Sequence, residues 1–156
     1  IDYDVDGKLV GNWFRAGSGG YFGNKSDRGA SGRYWDSHLS LVYDPIDPTK
    51  ITISTGNFNG ASAQFAVLGN SPDPKDIREK SGVIKYELVD RDYVTSSGEV
   101  WNELNFDKNL KFRVGSGRGV ALFQVLPNQK LKVEFFPGKT VTQVSGFDEK
   151  AQTYER

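Results

Sequence analysis

The chain has 156 residues, 20 basic and 20 acidic side chains and a formal net charge of zero. This balance argues against a nucleic-acid binder held by a basic face, and no apolar run approaches the roughly 18 residues of a membrane-spanning helix. The absence of cysteine excludes disulfides, thiol catalysis and thiolate metal sites. The length suits a single all-β domain over 1–156 with its own hydrophobic core.

Alternation of apolar and polar residues with a period of two predicts β-strands through most of the chain. The expected strands are 8–15, 33–43, 50–55, 63–69, 83–90, 99–106, 109–115, 119–126, 130–136, 140–145 and 151–155. The polar positions are rich in Lys, Glu, Thr and Ser, so one face of each strand is solvated, as in antiparallel sheets. This pattern predicts an antiparallel barrel or sandwich of about 8–11 short strands, with at most one short helix.

Two segments between the strands carry local signals. The glycine-rich run 115–119 predicts a tight connection between two strands. The segment 73–82 has Pro74 near its start, acidic residues before basic ones, and Gly82 at its end. That order matches the helix dipole and the preference for proline at the start of helices and glycine at their ends. We therefore expect one or two helical turns there.

Aromatic residues are concentrated in the first quarter of the chain, around a segment, 16–32, that contains six glycines. A long loop of this kind is often functional, although a wide flexible turn is the simpler interpretation. The aromatic residues suit either the core of a β protein or a site for apolar ligands or sugars. With the one histidine, they form the predicted ligand site, which comprises Trp13, Tyr21, Phe22, Tyr34, Trp35 and His38.

The sequence predicts no catalytic residue. Asp36 and Ser40 flank His38 at a spacing of two, but alternate residues of a strand lie ~6.6–7 Å apart, too far for proton transfer. Three carboxylate pairs could in principle hydrolyse glycosides if their spatial separation were suitable. These pairs are Asp44 with Asp47, Asp73 with Asp76, and Asp90 with Asp92. An enzyme is therefore the least favoured of three functional hypotheses.

Calcium is the one candidate cofactor. Asp2, Asp4 and Asp6 alternate before Gly7, as oxygen ligands do in the first half of an EF-hand loop. The position of the bidentate glutamate is occupied by Trp13. A solvated acidic N-terminal segment is the alternative interpretation.

Three short motifs resemble those of the lipocalins. Gly11-Asn12-Trp13 resembles the Gly-x-Trp of their opening strand, Arg91-Asp92-Tyr93 resembles their Thr-Asp-Tyr motif, and Arg118 precedes a late strand. The resemblance implies an up-and-down barrel whose open end holds a small apolar ligand. It also implies that Gly11 and Trp13 close the bottom, that Arg118 packs against Trp13, and that segment 16–32 covers the mouth.

Two functions follow as the main expectations. The first is a secreted or periplasmic barrel that binds a small apolar molecule. The alternative is a non-catalytic structural or interaction domain, including a carbohydrate-binding one, of a larger extracellular or cell-surface protein with a protein partner. The chain begins with Ile1 rather than Met, which suggests a processed product or an excised domain and an extracellular or periplasmic location.

Overall fold

A computed structural model describes residues 3–20 and 37–156, and these residues form a closed antiparallel barrel of eight strands. Each strand pairs with the next along the chain, and the first pairs with the last to close the barrel. The strands are β1 (Gly11–Arg15), β2 (His38–Tyr43), β3 (Ile51–Phe58), β4 (Ala61–Val67), β5 (Val83–Val94), β6 (Lys111–Leu126), β7 (Lys130–Pro137) and β8 (Gln152–Glu155). The predicted all-β antiparallel class is confirmed, and the architecture is a barrel.

The period-two pattern separates the inside of the barrel from its outside. In neighbouring strands the register places Leu41 opposite Ile53, and Ile53 opposite Phe65. All three side chains are fully buried in the interior. At the adjacent pair in the register, Ser54 lies opposite Gln64 on the outer face. The alternation seen in the sequence therefore decides which side chains form the core.

Aromatic side chains fill the lumen of the barrel. The Phe58 ring lies 4.7 Å from Phe65 and 5.9 Å from Phe135, measured between ring centroids. Phe123 continues this stack, at 6.1 Å from Phe135 and 5.9 Å from Tyr86. Edge-to-face contacts at these separations are favourable for aromatic rings. The described part of the barrel thus has a packed core, where the lipocalin resemblance implied a cavity for the ligand.

One end of the barrel is closed by backbone contacts between two connecting segments, 3–10 and 68–82. Leu9 N donates to Ile77 O at 3.0 Å, and Val10 N donates to Pro74 O at 3.2 Å. Leu9 and Ile77 are both buried in the main core. We call this the closed end; the mouth is the opposite end, where β1 ends and β2 begins.

The segment expected to be helical forms two separate 3-10 turns, Pro74–Asp76 and Glu79–Ser81. The Asp73 side chain accepts a hydrogen bond from Lys75 N, which caps the first turn as the sequence order suggested. Ile77 adopts an extended conformation between the turns, and its side chain enters the core. Within the described ranges, no helix has the length and apolar character needed to cross a membrane.

The predicted turn in the glycine-rich run 115–119 is wrong. The expected strands 109–115 and 119–126 are one continuous strand, β6, and its register with β5 shifts opposite the glycines. Gly119 has a φ of 154°, and a Cβ at this position would lie 2.5 Å from Phe136 O. The glycines therefore let the strand bend and approach β7 closely, which β-bulges permit without ending the strand.

The predicted strand 99–106 is also wrong. This segment is part of the loop between β5 and β6, with a single bridge between Val94 and Val100. Trp101 N donates to Tyr93 O at 2.9 Å, and its indole Nε1 donates to Asn105 O at 2.7 Å. The loop closes on itself through these bonds, so its apolar residues do not alternate across a sheet.

The predicted strand 140–145 is a 3-10 turn, Val141–Gln143, followed by an irregular segment. Val144 is buried against Val120 and Leu122 on the outer face of β6. The apolar residues of this segment recur every three positions and cover the outside of the barrel. A short irregular segment that packs its apolar residues against one surface can therefore be mistaken for a strand from the sequence alone.

Candidate functional site

The structure separates the two predicted ligand residues that it describes. Trp13 points into the barrel and is 1% exposed. His38 pairs with Phe14 of β1 and lies on the outer face, half-buried. The other predicted site residues lie outside the described residues: Tyr21, Phe22, Tyr34 and Trp35 of the ligand site, and Asp2 of the calcium site. Most of segment 16–32, expected over the mouth, also lies outside them.

Trp13 is fixed at the closed end by a cation–π contact. The Arg156 guanidinium lies 3.9 Å from the centroid of the indole ring, and Trp13 Nε1 donates to Leu9 O at 2.9 Å. Arg156 Nη1 donates to Val10 O at 2.9 Å, and Nη2 donates to Val5 O at 3.0 Å. The ring and the guanidinium therefore join the N-terminal segment to the end of β8.

The lipocalin resemblance implied Arg118 as the partner of Trp13, and that expectation is wrong. Arg118 Nη1 pairs with Asp90 Oδ1 at 2.8 Å on an exposed part of β6. Its guanidinium lies 5.9 Å from the centroid of the Phe65 ring. Arg156 occupies the position against Trp13, because the pairing of β1 with β8 brings the end of the chain there.

Gly11 is required at the start of β1. Its φ is 119°, and a Cβ would overlap Asp4 Oδ1 and Arg156 Nη1. Asp4 Oδ1 accepts a hydrogen bond from Asn12 N at 2.6 Å and lies 3.5 Å from Arg156 Nη1. The carboxylate expected to bind calcium thus faces an amide and a cation. In the described part of the chain, no three His, Asp or Glu side chains form a group that could hold a metal.

The carboxylates considered above as possible catalysts form hydrogen bonds that stabilise turns and hairpins. Asp44 Oδ1 accepts hydrogen bonds from Ile46 N at 2.9 Å and Asp47 N at 2.8 Å, which forms the turn after β2. Asp92 forms a bidentate pair with Arg113 across the β5–β6 hairpin, with bonds of 2.8 and 2.5 Å. Asp44 therefore stabilises the turn after β2, and Asp92 stabilises the β5–β6 hairpin.

A buried polar cluster beside β4 was missed by sequence reasoning. Asp44 Oδ2 accepts hydrogen bonds from Arg91 Nη2, at 2.5 Å, and from the Tyr93 hydroxyl. Burial by itself would raise the pKa of Asp44, but the bonds from Tyr93, the Asp47 amide and Arg91 outweigh it and lower that pKa. Burial and the bond to Asp44 raise the pKa of Tyr93 to about 12. The available signal was Arg91, a charged residue where the lipocalin motif has threonine.

A pocket of about 280 Å³ opens at the mouth between β7, β8 and the β3–β4 hairpin. Its floor is apolar and is formed by Val133, Phe135 and Tyr154. The polar residues that line it are Asn57, Asn59, Glu134, Lys150 and Gln152. An apolar floor with a few polar groups around it is the usual composition of a small-molecule site.

A second depression, of about 610 Å³, lies on the outer face of β2, β3 and β4. Its outward-facing side chains are those of His38, Ser40, Ser54, Ser62 and Gln64, and Thr55, Gly56 and Ala63 complete the lining. His38 Nε2 lies 3.3 Å from Asn12 Oδ1, and the imidazole ring centroid lies 5.6 Å from that of Phe14. Burial lowers the pKa of His38, which favours a neutral imidazole at pH 7. We call this depression the outer groove.

The protein is therefore an eight-stranded antiparallel β-barrel with a small pocket at its mouth and a groove on its outer face. No protein-family model, no curated protein and no solved structure matches the chain. The functional argument therefore rests on the geometry of the barrel and on the residues that line its depressions.

Proposed function

We propose that the protein is a non-catalytic, lipocalin-like barrel that binds a small, largely apolar molecule at its mouth. The observation that carries the proposal is the pocket of about 280 Å³ whose floor is Val133, Phe135 and Tyr154. Burial of apolar ligand surface against such a floor contributes roughly 25 cal/mol per Å². The barrel and the Trp13–Arg156 contact at its closed end support the lipocalin-like assignment.

The filled lumen limits the size of the ligand. Phe135 forms part of the pocket floor and packs against Phe58 and Phe123 beneath it, so a ligand rests on Phe135 and does not pass into the lumen. A pocket of about 280 Å³ is near the lower end of the range for small-molecule sites. The ligand is therefore a single ring or a short chain, and a long fatty acyl chain does not fit.

The polar groups around the floor orient the ligand. The three amide side chains bring donors and acceptors, Lys150 brings a cation, and Glu134 brings a carboxyl group whose Oε1 accepts a hydrogen bond from Asp148 N. We infer a ligand with an apolar body on the floor and one polar or anionic end at the rim. We place the protein in an extracellular or periplasmic compartment as part of the same proposal, because a chain without cysteine has no thiol to oxidise. Fractionation of the source cells tests that location.

The mouth site is tested with a fluorescent single-ring probe, salicylate, whose carboxylate matches the inferred polar end. We expect saturable binding of one probe per chain. Gln152→Trp places a large ring at the pocket and should weaken probe binding by about tenfold or more, equivalent to about 1.4 kcal/mol. The matched control is Thr153→Trp, since Thr153 is the exposed neighbour on β8 and does not line the pocket.

Two results would contradict the mouth site. One is equal probe affinity in the Gln152→Trp and Thr153→Trp variants, which would mean that the probe binds elsewhere. The other is the absence of saturable binding to the wild-type protein. Thermal unfolding of both variants checks that any loss of binding is not a loss of folding.

A further inference from the structure

The outer face of the barrel differs from one side to the other. On β6 and β7 this face is apolar, with Val120, Leu122 and Phe136, and the segment after β7 covers it through Val144 and Phe147. Lys85 Nζ donates to Val141 O at 3.1 Å, which helps to hold the covering segment. The chain therefore buries the outer surface of the barrel where that surface is apolar.

The outer face of β2, β3 and β4 near the mouth has the opposite character. A cross-strand row places Ser40 beside Ser54 and Ser54 beside Gln64. His38 and Ser62 lie nearer the mouth on the same side and line the same groove. Serine is not among the residues that favour strands, so its repetition on neighbouring strands is not explained by sheet formation.

We propose that the outer groove is a binding site for a neutral saccharide. Its volume of about 610 Å³ lies within the usual range for ligand sites and is about twice that of the mouth pocket. Hydroxyl and amide groups both donate and accept hydrogen bonds, as the hydroxyls of a sugar do. No Lys, Arg, Asp or Glu is among the described residues that line the groove, so a neutral ligand fits better than an ionic one.

The polar side chains at both sides of the groove are held in position. Arg91 Nη1 donates to Gln64 Oε1 at 2.7 Å, which directs the amide NH₂ of Gln64 to other acceptors. Arg91 is itself held by Asp44 at 2.5 Å and by the hydroxyl of Tyr93. The buried polar cluster is thus a positioning device for Gln64, and fixing a donor in advance lowers the entropic cost of binding.

His38 is held at the other side of the groove. When its Nε2–H donates to Asn12 Oδ1, at 3.3 Å, Nδ1 is left as an acceptor. The Phe14 ring contacts the imidazole edge to face and restricts its rotation. With the histidine in this tautomer, the groove combines an acceptor at His38, a donor at Gln64, and serine hydroxyls between them.

The test is a titration of ¹⁵N-labelled protein with maltohexaose, cellohexaose and chitohexaose (its N-acetylated form), followed by NMR at pH 7. We expect at least one of the three to shift the amides of 38–40, 54–56 and 62–64 saturably. Ser54→Ala removes one hydroxyl and should raise the Kd about three- to tenfold. The matched control is Thr153→Ala, which removes a hydroxyl from the exposed outer face of β8 and should leave the Kd unchanged.

Three results would overturn the saccharide site. They are the absence of saturable shifts with all three oligosaccharides, equal Kd values for Ser54→Ala and the wild type, and shifts confined to the mouth residues Asn57 and Gln152. The Gln152→Trp variant keeps the groove residues, so it should retain saccharide binding. The outcomes for the groove and for the mouth are therefore independent of each other.

Discussion

The two ends of the barrel are built on different principles. At the closed end, large side chains carry polar groups that are satisfied by the connecting segments: Trp13 Nε1 donates to Leu9 O, and the Tyr86 hydroxyl donates to Pro72 O at 2.5 Å. At the mouth, the large side chains are phenylalanines such as Phe58 and Phe135, beside a pocket lined by amides. The difference indicates that the closed end contributes mainly to stability, whereas the mouth keeps surface for a ligand.

Trp13→Ala should have the largest effect on stability. It removes a fully buried indole, its bond to Leu9 O and its contact with Arg156. We expect a loss of about 3–5 kcal/mol in the free energy of unfolding, measured by urea denaturation. A loss below about 1 kcal/mol, less than even mild core truncations commonly cost, would show that Trp13 does not hold the closed end together.

Phe58→Ala should cost less, at about 2–3 kcal/mol, because truncation of a phenylalanine at the rim leaves a space that water can enter. Phe58 is 7% exposed, and the variant lacks its ring contacts with Phe65 and Phe135. The same variant should bind a larger apolar probe, since it deepens the mouth pocket. If Phe58→Ala destabilised the protein as much as Trp13→Ala, the two ends would be equivalent and the comparison would fail.

The smallest expected effect is the pH dependence caused by His38. Burial lowers its pKa below the ordinary 6.5 in the folded state, so on acidification the unfolded chain takes up this proton first. The stability that the neutral imidazole contributes is present above about pH 6.5 and is lost as the pH falls towards the folded-state pKa. Urea denaturation between about pH 7.5 and 5 should show a decline in the wild type that is absent in His38→Gln.

Titration of Glu134 changes the stability with pH in the opposite direction to His38. For this reason the stability profile of His38→Gln is subtracted from that of the wild type. Burial raises the pKa of the Glu134 carboxyl group, so its contribution to stability is lost as the pH rises through that folded-state pKa. The carboxyl group is present in both the wild type and His38→Gln, and its effect cancels when the two profiles are subtracted. Identical profiles would mean that His38 titrates alike in the folded and unfolded states.

The candidate sites were only partly predictable from the sequence. The sequence predicts His38 as a ligand-binding residue, and in the structure it lines the outer groove. The prediction that His38 and Trp13 share one site is wrong. Trp13 faces the interior, whereas His38 pairs with Phe14, the outward-facing residue next to Trp13 in β1. Strand register decides such faces, and a shift of one residue would reverse them. The mouth residues Asn57 and Gln152 carried no signal, since they come together only when β8 lies near the β3–β4 hairpin.

The sequence by itself determined the antiparallel β class and most of the strands, because period-two alternation directly reflects one buried and one solvated face. The tertiary structure alone decided that β1 pairs with β8, so that the sheet closes into a barrel and Arg156 reaches Trp13. It also decided that the glycines near Gly119 bend one strand. These features depend on contacts between residues far apart in the chain, and local patterns of polarity carry no information about such contacts.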